Sequence, residues 1–126
     1  MEKTITTDGA PSASGIYSQA VQHGGLLYVS GQIPLIPATM DLGSPDIDQQ
    51  INQVFDNLLA IAAAAGTTLN DTIKFTVYLT DLDHFPRVNE VMAQRLTQPY
   101  PARVALEVSA LPRSALVEID AIVAIS

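Results

Sequence analysis

Two late segments carry the side chains best suited to chemistry. The first is Tyr100-Pro101-Ala102-Arg103-Val104-Ala105-Leu106-Glu107-Val108. Strand alternation puts Arg103, Ala105 and Glu107 on one face. Val104, Leu106 and Val108 fall on the other, the side expected to meet the core. A guanidinium projecting beside a residue as small as Ala105 can offer a planar fork of donors to a carboxylate. The plainer reading, which spacing alone favours, is a surface arginine paired with Glu107 or another acid. The second segment is Val117-Glu118-Ile119-Asp120-Ala121-Ile122-Val123. Here Val117, Ile119, Ala121 and Val123 share one face, and Glu118 and Asp120 lie on the opposite one. A carboxylate in a partly apolar cleft takes a raised pKa and can move protons near neutral pH. The residues alone leave Glu118 and Asp120 equal candidates.

Other chemistries find less support. The chain has no Cys, so disulfides, thiolate metal sites and cysteine nucleophiles are excluded. Its two His, His23 and His84, have no acid or second His at ligand spacing, so no metal site is expected. No nucleophile elbow prepares a Ser-His-Asp triad. Gly15, Gly24-Gly25 and Gly31 do not compose a phosphate loop. The net charge is −7, and the six Lys and Arg (Lys3, Lys74, Arg87, Arg95, Arg103, Arg113) are scattered. Nucleic acid is therefore not an expected partner, since binding it needs clustered cations against phosphates.

The elements that must position these residues are legible in the pattern. At 126 residues, 48% hydrophobic and 15% charged, the sequence predicts one folded domain over 1–126. No segment has the roughly 18 apolar residues of a membrane span. Met1-Glu2-Lys3-Thr4 is not followed by a signal-peptide core, so a soluble cytoplasmic protein is the expectation. Ile47, Ile51, Val54, Phe55, Leu58, Ala62 and Ala65 recur at steps of three and four. They predict a helix over Pro45–Ala65, with Ser44 as N-cap, Pro45 at N1 and Gly66 at C′. Ile73, Phe75, Val77 and Leu79 alternate with polar residues and Tyr78, predicting a half-buried strand over Thr72–Thr80. A second helix follows over Pro86–Leu96. Strands are predicted at Lys3–Thr7, Gln19–Gln22, Leu26–Ser30, Ala102–Val108 and Leu116–Ala124. The order is β-β-β-α-β-α-β-β, an α+β mixed six-stranded sheet with two helices on one face. The helical crossovers should join parallel strands. Leu26, Tyr28, Thr76 and Tyr78 on the far face point to a covering partner subunit.

Several segments together resemble the RidA (YjgF) family, whose older name is endoribonuclease L-PSP. They are Gly15-Ile16-Tyr17-Ser18-Gln19-Ala20, Tyr28-Val29-Ser30-Gly31-Gln32-Ile33-Pro34, Val88-Asn89-Glu90-Val91, Pro101-Ala102-Arg103, Leu111-Pro112 and Val117-Glu118-Ile119-Asp120-Ala121-Ile122. They stand in family order from about Ala10 to Ala124. The resemblance implies a chorismate-mutase-like fold and a homotrimer with three ligand clefts between subunits. It implies hydrolysis of 2-iminobutanoate and 2-iminopropanoate to 2-oxo acids and ammonia, with no metal or organic cofactor. By position, Arg103 matches the arginine that clamps the substrate carboxylate. Glu118 matches the acid that activates water, which separates it from Asp120. Tyr17 matches a tyrosine closing the cleft from a neighbouring subunit. Ser30 and Gly31 match pocket-lining positions, Asn89 a supporting asparagine, and Ala105 a position contributing its backbone carbonyl. The sequence departs from the deaminase pattern at Val104, where Ser is common, and at Ala105, where Cys is common. The alternative reading is a non-catalytic trimer that binds 2-oxo acids in the same cleft. A ribonuclease or translation-inhibitor role comes third.

Overall fold

The computed structural model describes residues 3–125; Met1 and Glu2, where the leader expectation begins, and Ser126 lie outside them. Six strands form one sheet: β1 (Lys3–Ile5), β2 (Ala20–His23), β3 (Leu26–Gln32), β4 (Thr72–Leu79), β5 (Ala102–Glu107) and β6 (Val117–Ala124). Their spatial order is β1-β2-β3-β6-β4-β5. Only β4 and β5 pair in parallel; the other neighbours are antiparallel. Because β3 and β4 both run antiparallel to β6, they share a direction. Both helical crossovers thus join strands of like direction, as the sequence predicts. Arg103 and Glu118 are not on adjacent strands, however, since β4 lies between β5 and β6.

Helices α1 (Ile47–Ala64) and α2 (Phe85–Arg95) both cover one face of the sheet. The apolar stripe of α1, including Ile51, Val54, Phe55, Leu58 and Ile61, is fully buried in one cluster with Phe75, Val77, Leu79, Val117 and Ile119. Phe55 meets Phe75 edge to face at 5.7 Å. Each such side chain contributes about 1.5–3 kcal/mol relative to staying in water. Two charge contacts tie α2 to α1: Arg87 pairs with Asp48, and Arg95 with Asp56 at 2.7 Å. Among the described residues no helix is long and apolar enough to cross a membrane.

The ends of α1 refine the expected boundaries. Asp46 is the N-cap, accepting from the Gln49 N–H at 3.0 Å. Ser44 instead closes the preceding turn, its hydroxyl accepting from the Asp46 N–H at 3.0 Å, so Pro45 stays outside the helix. At the other end Gly66 takes φ +81, and the N–H groups of Gly66 and Thr67 donate to Ala63 and Ala62. That pairing satisfies the last carbonyls in a Schellman motif, as a Gly at C′ allows.

Two phase expectations fail, each for a visible reason. Ile73 is exposed, because the β4–β6 ladder shifts register between Thr72 and Lys74 and moves it off the core side. In β5 the assignment of faces is reversed. Arg103 and Ala105 stand opposite Phe75 and Val77, which face the helices, while Val104 and Leu106 stand opposite Thr76 and Tyr78 on the open side. Val104 is 43% exposed and Leu106 37%, so these apolar residues do not contribute to the core of the chain.

Candidate functional site

Arg103 sits on the helix side of the sheet, where α2 builds its surroundings. Phe85, Asn89 and Met92 recur at four and three residues, so they share one face of α2. The guanidinium carbon lies 4.6 Å from the Phe85 ring centroid. Its Nη1 donates to Asn89 Oδ1 at 2.5 Å and lies 3.5 Å from Met92 Sδ. The aromatic face attracts the cation while leaving the edge donors of the fork available. A cavity of about 420 Å³ opens beside it, lined also by Leu96, Tyr100 and Pro101. The surface-pair reading does not hold. Glu107 instead accepts from the Leu82 N–H at 3.0 Å. The chain has four arginines, and Arg87, Arg95 and Arg113 each lie within 4.0 Å of a carboxylate. Arg103 alone among them lacks one among the described residues.

Glu118 sits on the opposite side of the sheet. In β6, Val117 and Ile119 point into the core and Glu118 and Asp120 point away, as alternation predicts. Glu118 stands opposite Tyr78, and Asp120 opposite Thr76. The half-buried Glu118 carboxyl is raised above its ordinary pKa, first by burial and then by the negative charge of Asp120. Tyr78 Oη donates to Asp120 Oδ2 at 2.9 Å, and that bond, with burial, raises the phenol above its usual value. Glu118 borders a second cavity, of about 760 Å³, with Tyr17, Gly31, Met40 and Arg113.

Gly31 has a specific reason to be glycine. The ladder between β3 and β6 is irregular between Val29 and Gln32, and this bulge brings the Gly31 backbone against Glu118. A Cβ at this position would collide with the Glu118 carboxylate. Ser30, in the same bulge, is occupied elsewhere: its hydroxyl donates to the Ser18 carbonyl at 2.6 Å and its N–H to the Gln19 carbonyl at 3.0 Å. Gln19 in turn holds the loop before it, exchanging hydrogen bonds with Thr7 and donating to Pro11 O at 2.8 Å. Ser30 therefore braces the segment carrying Tyr17 and does not line the cavity.

The candidate residues thus fall into two groups. Arg103, Asn89 and Ala105 lie on the helix side, while Glu118, Gly31 and Tyr17 border the open side. The two cavities share no residue. Sequence reading passed over Phe85, Met92 and Arg113 as functional neighbours. The spacing of Phe85, Asn89 and Met92 on α2 was the available signal, but it reads equally as a core stripe. Among the described residues no group of three or more His, Cys, Asp or Glu could hold a metal ion.

Residues 7–125 match the family model described as Endoribonuclease L-PSP. The chain belongs to this family, the RidA family. It is 48% identical to a RutC family protein of Pyrococcus horikoshii over 97% of both chains. It is 37% identical to a protein of Dermatophagoides farinae named 2-iminobutanoate/2-iminopropanoate deaminase, covering 98% of this chain and 97% of that one. Among solved structures, RidA from the Antarctic bacterium Psychrobacter superposes with a TM-score of 0.94 at 50% identity, covering 98% and 99%. Escherichia coli TdcF with bound serine superposes with a TM-score of 0.90 at 39% identity, covering 98% and 99%. The α+β fold expected from the sequence is that of these RidA relatives.

Proposed function

We propose that the protein is an imine deaminase that hydrolyses 2-iminobutanoate, 2-iminopropanoate and similar small 2-imino acids to the 2-oxo acid and ammonia. The observation that carries this reading is the division of chemistry between the faces. Arg103, without an acid partner among the described residues, has donors to give a carboxylate. Glu118, with its raised proton affinity, borders a separate cavity across the sheet. In one chain the two cannot meet. In a homotrimer whose open sheet faces are covered, Arg103 of one copy and Glu118 of the next would close one cleft. The exposed Tyr28, Val104 and Leu106 on the open face support such a covering.

Arg103 grips the substrate carboxylate and fixes the C=N carbon against a water molecule. Glu118 takes a proton from that water as its oxygen bonds to carbon, giving a carbinolamine. The same carboxyl returns the proton to nitrogen; the C–N bond then breaks as the hydroxyl oxygen forms the carbonyl and passes its proton to Glu118, and ammonia leaves, taking that proton up. Tyr17 closes the cleft, Gly31 gives the carboxylate room, and Asn89 fixes the guanidinium. The Ala105 carbonyl, on an edge strand, favours the protonated and more electrophilic iminium. The chemistry needs no metal or organic cofactor, and its setting is the cytoplasm, among reactions that dehydrate amino acids. The deaminase name of the mite relative supports this reading at the level of the family.

The test is to generate the imine in situ with threonine dehydratase and follow 2-oxobutanoate release. Acceleration by the wild-type protein and its loss in Arg103→Ala are expected. No acceleration, or an Arg103→Ala variant as fast as wild type, contradicts the reading. Binding of 2-oxobutanoate without turnover would favour a non-catalytic carboxylate-binding trimer. The serine bound to TdcF is the observation behind that second reading.

A further inference from the structure

Glu118 does not stand alone on the open face. Asp120 lies two residues along the same strand, so the side chains leave the backbone about 7 Å apart and point the same way. An ionised side chain beside a catalytic base is useful only if its position is fixed. Tyr78 supplies that fixing. It stands directly opposite Glu118 on β4, yet its hydroxyl reaches diagonally to Asp120, donating to Oδ2 at 2.9 Å. One strand pair thus holds all three residues, with the Tyr78 hydroxyl on Asp120.

We propose that Tyr78 and Asp120 form a positioning pair that holds a fixed negative charge beside Glu118 and so sets the pH at which it acts as base. The inference rests on the reading of Glu118 as the base. A carboxylate held by the Tyr78 hydroxyl cannot swing into solvent. The fixed charge makes Glu118 harder to ionise, and so a better proton acceptor once ionised. The raised proton affinity of Glu118 has this charge as its second cause, after burial.

Other charged and titratable groups face this place as well. Lys74, opposite Ile122, lies farther along β4. Arg113, from the turn before β6, and Tyr17, from the loop before β2, border the same cavity. In the proposed trimer a neighbouring Arg103 joins them. Arg113 lies 3.8 Å from Asp41; the neighbouring Arg103 would ease the ionisation of Glu118, and the Asp120 charge opposes it. Asp120 lies beside the reacting centre and is a positioning residue, with no contact to substrate assigned to it.

The experiment has two readouts on the full-length protein. The Glu118 carboxyl is titrated by carbon-13 NMR, and kcat/KM is measured across pH with imine made in situ. In Asp120→Asn, the NMR midpoint and the acid limb of kcat/KM are expected to fall together by roughly half a pH unit or more. Asp120→Glu, which keeps the charge, should restore most of the wild-type midpoint. Tyr78→Phe frees Asp120 to turn away from Glu118, so a smaller fall is expected. It decides the matter alone if Asp120→Asn does not fold. A Glu118 midpoint unmoved in every folded variant overturns the proposal. A wild-type protein without turnover would defeat the reading of Glu118 as base, while the NMR titration would still report whether the pair acts on it.

Discussion

β5 and β6 flank the same strand, and both alternate apolar with other residues, yet their apolar sides point in opposite directions. In β6, between two strands and beneath α1, Val117, Ile119 and Val123 enter the core and the acids face outward. In β5, at the edge of the sheet, Val104 and Leu106 face outward and Arg103 turns inward over Phe85. A central strand has its phase fixed by burial on its helix side. An edge strand under a short helix can seat a guanidinium there, because the aromatic ring and Asn89 satisfy it. The inversion separates Arg103 from Glu118 by the thickness of the sheet. It also leaves apolar residues on the face that carries Glu118. Both consequences are explained if a second copy covers that face and brings its own Arg103.

The largest effect that would sharpen this contrast is the loss of the open-face carboxylate. Glu118→Gln should lower kcat by roughly 10²–10⁴-fold, the range for general base catalysis, with KM little changed. Arg103→Ala should lower kcat/KM by about 100-fold, since charge-assisted hydrogen bonds to the carboxylate are lost, and a rise in KM should carry much of it. An Arg103→Ala effect confined to kcat would break the assignment of a clamp to the inner face. Leu106→Lys puts a charge on the apolar outer side of β5. The variant should remain folded by circular dichroism but lose molecular mass by light scattering, and activity should fall with the mass. Gly31→Ala should displace the Glu118 carboxylate and lower kcat by roughly tenfold, with a smaller effect on association.

The smallest effect concerns stability. The folded protein holds the Glu118 proton more tightly than the unfolded chain does, because burial and Asp120 disfavour the anion. Stability on this account is highest below the ordinary glutamate pKa, falls as pH rises through the raised folded value, and stays lower above it. Glu118→Gln should therefore raise the thermal midpoint at pH 7 by roughly 2 °C. Asp48 behaves oppositely, since its hydrogen bond with Arg87 holds its carboxyl below the ordinary range. Its small contribution is present above the unfolded value and fades as pH falls through the lowered one.

Much of this architecture could be read from residue order. The stripe from Ile47 to Ala65 specified α1 because its large apolar side chains, Leu59 excepted, recur on one face. Gly24-Gly25, between the segments expected as β2 and β3, suits a hairpin turn, and Gly24 takes φ +60 there. The outward direction of Glu118 followed from Val117 and Ile119. The faces of β5 did not follow, because hydrophobic phase records burial in any surroundings, including those another chain would provide. The shift of register at Thr72 and Lys74 also left no local mark, so Ile73 reads as core and is exposed. Ser30 illustrates a further limit. Its place in the family motif could be recognised from sequence, but its hydrogen bond to Ser18 depends on how the loop folds back. Arg103 could be singled out, while its seat on Phe85 needed α2 to be placed.

The most direct test of the shared cleft uses two variants that are each strongly impaired, assayed at substrate well below KM. Arg103→Ala and Glu118→Gln are unfolded together in equal amounts and refolded, so that subunits mix at random. If each cleft takes Arg103 from one copy and Glu118 from the next, about a quarter of the clefts recover both groups. Deaminase activity should return to roughly that fraction of the co-refolded wild type, while either variant refolded alone stays at about a hundredth or less. A mixture that associates as the wild type does yet stays as impaired as its components would contradict the account.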